Sequence, residues 1–165
     1  MQISEKEQSC TDFDWFGLDC EGAIGHFTTA GFKNLPKSVA KSREDLDLLL
    51  SYFEDAPFRE GHLVDSGVSR QIPEEISRGE RYLRSFVAIA DKGLYSYDID
   101  SYLREGICYF RVALPVRPLH VSDLPMEVRE VLSRTMLSPV RFRDATERRA
   151  GRKETTAARG DLCHR

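Results

Sequence analysis

Cys20 and His26 are the first pair in the chain whose chemistry has to be weighed: a thiol and an imidazole six residues apart. A thiol nucleophile needs a base within hydrogen-bond reach and a third group that orients the base. The two side chains can approach across a tight turn, but no orienting group is evident. The plain reading makes Cys20 a turn residue and His26 an ordinary strand position. Adding Cys108 and His120 gives four possible zinc ligands, yet structural zinc sites use closely spaced pairs and these are irregular. Asp98, Asp100 and Glu105 in DIDSYLREG lack the third oxygen ligand and the central glycine of an EF-hand loop. They read as a strand end and a solvated turn. Neither a G-x-G-x-x-G nor a P-loop pattern occurs. No catalytic residue, metal or cofactor is expected.

Aromatic side chains and charge carry more. Trp15, Phe16, Phe27, Phe32, Tyr95, Tyr97 and Tyr109 fall in expected strands and loops, and most must be core. Phe32 in a glycine-containing loop and Tyr97 beside Asp98 and Asp100 are the candidates for a protein-binding surface, since interface centres favour aromatics. Residues 1–140 hold 16 Lys/Arg against 23 Asp/Glu, a net −7, and residues 141–165 hold 8 against 4, a net +4. An acidic body steers a basic partner toward it. The tail basic residues Arg148, Arg149, Arg152 and Lys153 are diluted by Glu147 and Glu154, so nucleic-acid binding is a lesser expectation.

The elements that must position these groups follow from periodicity. DFDWFGLD alternates as a strand, Asp19–Gly22 makes a turn, and Ala23–Thr28 returns as the second strand of a hairpin. Thr29–Lys41 reads as loop. Ser42 caps a helix to about Asp55, with Leu46, Leu49, Leu50 and Phe53 on one face. Residues 58–72 hold at most a short strand around His62–Asp65. A helix from Glu74, split near Gly79, has its stronger part at Arg81–Asp91 and stops at Lys92-Gly93. Leu94–Ile99 and Cys108–Leu114 are two further strands. A short extended piece, Leu119–Val121, leads to a last helix from about Pro125 capped by Ser122 or Asp123.

The pattern predicts an α+β fold: a small, mostly antiparallel sheet of four to five strands packed with about three helices. Residues 10–142 form one domain, and residues 143–165 a basic, disordered tail. The longest apolar run, Phe86–Ala90, is far too short to cross a bilayer. The polar start MQISEKEQSC does not read as a secretory signal. A cytoplasmic protein with reduced cysteines is the expectation.

The segments DFDWFGLDCEGAIGHFTTAGF, KGLYSYD and YFRVALPVRPLHVSDLP resemble a group of short, largely uncharacterised bacterial proteins. These open with a D-x-x-W-F-x-x-D-x-x-G hairpin and end with a Pro-rich strand and helix cap; the resemblance covers Asp12 to Leu132, and the tail departs from it. The group is associated with toxin–immunity settings, so the resemblance implies a small acidic protein that binds and neutralises a toxin. The expected function is thus a non-enzymatic protein-binding module of immunity type, with another protein, such as a basic toxin, as partner. The alternative is a small enzyme whose site assembles around His26, Cys20 or Asp98.

Overall fold

The structure is a computed structural model, and it describes residues 1–32, 35–68, 80–100 and 108–144. Five strands form one mixed sheet: β1 (Asp14–Leu18), β2 (Ile24–Thr28), β3 (His62–Val64), β4 (Tyr95–Ile99) and β5 (Tyr109–Pro115), in the order β1-β2-β4-β5-β3. All neighbours are antiparallel except β2 and β4, which run parallel in the middle. The helices among the described residues are α1 (Glu5–Cys10), α2 (Lys37–Ala40), α3 (Arg43–Asp55), α4 (Glu80–Asp91) and α5 (Met126–Leu132). The α+β expectation therefore holds.

Local chemistry explains most boundaries. The β1–β2 hairpin closes through Gly22, whose φ of 82° suits glycine. The Asp19 carboxylate accepts the N–H groups of Glu21 and Ala23 across the turn. The Ser42 hydroxyl accepts the N–H of Asp45 and starts α3. Gly93, at φ 96°, ends α4. Three elements differ from the sequence expectation. A capping box between Ser4 and Glu7 starts α1, and Ile3 is buried, so packing begins ahead of residue 10. One helical turn, α2, interrupts the expected loop once Pro36 has preset its φ. Ser122 and Asp123 do not cap the last helix; they belong to a 3-10 turn, Val121–Asp123, and Pro125 stands at the cap of α5.

The sheet is covered on both faces. Phe16, Leu18, Ile24 and Leu94 pack under Leu49 and Phe53 of α3 and Val128 and Leu132 of α5, while Phe110 and Val112 pack under Phe86 and Ala90 of α4. On the other face Trp15, Phe27, Tyr97 and Tyr109 form an aromatic row across four strands. Trp15 stacks on Phe27 at 4.2 Å and Phe27 on Tyr97 at 4.9 Å, with Tyr109 edge-on to both Trp15 and Phe27. This face is closed by Ile3, Leu35, Ala40 and the C-terminal segment carrying Leu137, Val140 and Phe142.

That segment also adds to the edge of β1. The N–H of Leu18 bonds the Thr135 carbonyl at 2.9 Å, and the N–H of Leu137 bonds the Leu18 carbonyl at 2.7 Å. Cys10 and Cys20 are free thiols, as expected, but buried Cys108 is disulfide-bonded. Glu74, Glu105, Cys163 and the tail from residue 145 lie outside the described residues. Of the expected tail, Arg143 is described and pairs with Glu21 at 2.9 Å. No described helix is long and apolar enough to cross a membrane.

Candidate functional site

Polar side chains collect at one end of the helix-covered sheet face. β2 and β4 are parallel, so their carboxyl ends lie together, and antiparallel β1 begins at the same end. Alternation then puts Asp14 on β1, His26 and Thr28 on β2, and Ser96 and Asp98 on β4 onto one side. The register aligns Asp14 with Thr28, Phe16 with His26, and His26 with Ser96. Toward the other end the same rows become apolar, with Leu18, Ile24 and Leu94. α4 passes over this polar end and leaves a cleft of about 530 Å³. Asp12, Asp14, His26, Thr28 and Asp98 line it from the sheet and the segment before β1, and Phe86, Ile89 and Lys92 from α4 and the turn after it.

His26 forms the floor. The residue is 4% exposed, with Nδ1 3.1 Å from Ser96 Oγ and Nε2 3.3 Å from Asp14 Oδ1. A carboxylate can only accept, so this 3.3 Å contact becomes an ion pair when the ring is protonated. Hydroxyl, imidazole and carboxylate thus lie in a line, but their exposure is the reverse of what a nucleophilic relay needs. Ser96 is fully buried behind the ring, whereas the Asp14 side chain is 50% exposed. Of the three groups, the Asp14 carboxylate is the one exposed to the cleft.

Asp98 is the second carboxylate of the cleft. Its Oδ1 accepts from Thr28 Oγ1 at 2.9 Å and from the Ile99 N–H at 2.8 Å; its Oδ2 accepts from the Tyr82 hydroxyl at 2.7 Å. Burial and the adjacent Asp98 charge push the Tyr82 hydroxyl well above its ordinary range, which keeps it a donor. Asp12 accepts from Thr29 Oγ1 at 3.3 Å. Among the described residues, no lysine or arginine pairs with any of the three aspartates. Lys92, the cationic residue among the described lining, points its Nζ at the carbonyls of Phe53 and Glu54, 2.9 and 2.7 Å away. Its charge serves the C-terminal end of α3.

The expected site residues separate on this frame. His26 and Asp98 meet in the cleft, and Asp12 and Asp14, which the sequence reading did not single out, join them. Cys20 stays in the hairpin turn, with its thiol 3.8 Å from the Pro139 carbonyl. Tyr97 is not a surface anchor. It is fully buried between Phe27 and Phe142, because β4 is an inner strand whose odd positions face the aromatic row. Phe32 is half exposed, its N–H bonded to the Thr29 carbonyl. Asp100 lies beyond the end of β4, its N–H on the Cys108 carbonyl at 2.8 Å. His120 braces the hairpin turn: its Nε2 lies 2.7 Å from the Glu21 carbonyl. No group of three or more His, Cys, Asp or Glu among the described residues is placed to hold a metal ion.

Comparison with known proteins adds no relative: no family model, curated protein or solved structure matches the chain.

Proposed function

We propose that this chain is a protein-binding module whose cleft receives a basic side chain of its partner, a lysine or an arginine. The immunity-type neutraliser of a basic toxin is the concrete form of this reading. One observation carries it: Asp12, Asp14 and Asp98 share a cleft in which, among the described residues, no lysine or arginine pairs with them. Partly desolvated carboxylates interact with an incoming cation more strongly than those on an open surface do. Phe86 and Ile89 on the α4 wall offer an apolar surface to the methylene stem of such a side chain. The acidic balance of residues 1–140 adds long-range attraction that raises the encounter rate and is screened by salt.

The test is a pull-down from the native host with the full chain, comparing wild type with the Asp14→Asn/Asp98→Asn double variant at low and high salt. The expected result is one stoichiometric basic protein, held by wild type at low salt and lost both at high salt and with the double variant. A partner held equally by both proteins at either salt would place binding elsewhere on the surface.

A further inference from the structure

The cleft contains its own means of changing charge. His26 is buried, with Nδ1 hydrogen-bonded to Ser96 Oγ and Nε2 3.3 Å from the Asp14 carboxylate. In the neutral ring with its proton on Nε2, Nδ1 accepts the Ser96 hydroxyl proton. A hydroxyl is both donor and acceptor, so rotation about its C–O bond lets Ser96 accept from a protonated Nδ1 instead. A second proton can therefore enter from solvent without breaking either contact. The cation so formed lies against Asp14 and cancels the charge that the cleft would offer a ligand.

Among the described residues, few charged groups lie around the ring. Asp12 comes from the segment before β1, Asp14 from β1, Asp98 from β4, and Lys92 from the turn after α4, its ammonium turned to the end of α3. α3 brings only Phe53, through Phe16, whose ring centroid is 5.5 Å from that of His26. We propose that His26 is a proton-operated switch on this cleft. With the ring neutral the cleft accepts a basic group; with the ring protonated Asp14 is neutralised and the basic group is refused. The proposal rests on the reading of the cleft as a receptor for a basic side chain. By reciprocity, binding of the basic group expels the proton.

The test uses the full chain and N-butylguanidinium chloride, a probe whose own charge is constant across the imidazole range. Its binding is followed by NMR at about pH 7.5 and about pH 5.5, together with the ring nitrogen shifts of His26. The expected result is perturbation of the Thr28, Ser96 and Asp98 amides at the higher pH. Affinity should then be lower at about pH 5.5, by at most about tenfold per pH unit, the limit for one linked proton. Equal binding at both pH values overturns the switch and leaves the receptor standing. Binding at neither overturns the receptor, and the switch with it. A pH effect that survives in His26→Gln assigns the proton to another group and also overturns the switch. Should that variant not fold, the wild-type shifts decide: a ring that takes up no proton over the interval in which affinity falls is not the switch.

Discussion

Asp19 and Arg111 hold opposite ends of one residue. The Asp19 carboxylate accepts the N–H of Phe142 at 2.9 Å, and the Arg111 guanidinium donates to the Phe142 carbonyl at 2.6 Å. Both side chains are buried, and Arg111 Nε is paired with buried Asp65 at 2.7 Å. Strand β5 and the hairpin turn thereby fasten the segment that closes the aromatic face. Removing one member of a buried ion pair strands the other, at a cost of about 3–5 kcal/mol. Arg111→Met should destabilise the protein by that amount. Arg111→Met with Asp65→Leu should cost less than the two single changes added together. Urea denaturation of the three variants measures this. A single-variant loss below about 1 kcal/mol would mean that apolar packing alone holds the segment.

Gly25 is required by the same segment. A Cβ there would lie 2.7 Å from Phe142 Cζ and 2.8 Å from Phe27 Cε2, closer than carbon atoms tolerate. Gly25→Ala should therefore cost about 1–3 kcal/mol through overpacking. It should also shift the Phe142 ring signals more than those of the cleft. A neutral substitution, seen as an unchanged thermal midpoint, would show that Phe142 can move aside freely.

Alkali should unfold the protein through its tyrosines. Burial pushes the hydroxyls of Tyr82, Tyr95, Tyr97 and Tyr109 above the ordinary tyrosine value. A raised folded-state value means that this contribution is complete below about pH 10, where the unfolded chain's tyrosines begin to ionise, and is lost above it. Tyrosinate absorbance should then rise in step with loss of the folded near-ultraviolet signal. Ionisation of most tyrosines ahead of unfolding would contradict this packing.

Acid should act first on the N-terminal helix. The Ser4 N–H and hydroxyl, and then Arg43, hold the Glu7 carboxyl below its usual range. A lowered value means the stabilisation is present above about pH 4.3 and disappears as the pH falls through the folded-state value. Amide exchange at Glu5–Cys10 should accelerate between about pH 4 and about pH 2, ahead of β4 and β5. Simultaneous loss of protection everywhere would instead make α1 part of the global unfolding unit.

What the sequence revealed was set by the range of each signal. The hairpin, α3, β4 and β5 were legible because alternation, helical spacing and turn glycines are local. The Ser4–Glu7 capping box was equally local, and applying the S-x-x-E rule to the first residues would have found α1. The cleft was legible only in part. Alternation within β1 already puts Asp14 with Phe16, and hairpin pairing sets it beside Thr28, so Asp14 was within reach. The parallel pairing of β2 with β4 was not, because nothing local to His26 points to Ser96. Tyr97 and Asp98 were grouped as neighbours in sequence, although in an inner strand neighbours face opposite layers.

The central parallel pair has a consequence for the order of assembly. The contacts between His26 and Ser96 and between Thr28 and Asp98 each join residues 70 positions apart, whereas the β1–β2 hairpin closes locally. Loop closure of that length makes such contacts slow to form, so the hairpin precedes the sheet's centre. The cleft takes its walls from the hairpin, α4 and β4, so it is complete only when all three have docked. A nascent chain on the ribosome therefore lacks this cleft until β4 has emerged and docked. On the proposed reading of the cleft, recruitment of a partner would report that β2 and β4 have paired.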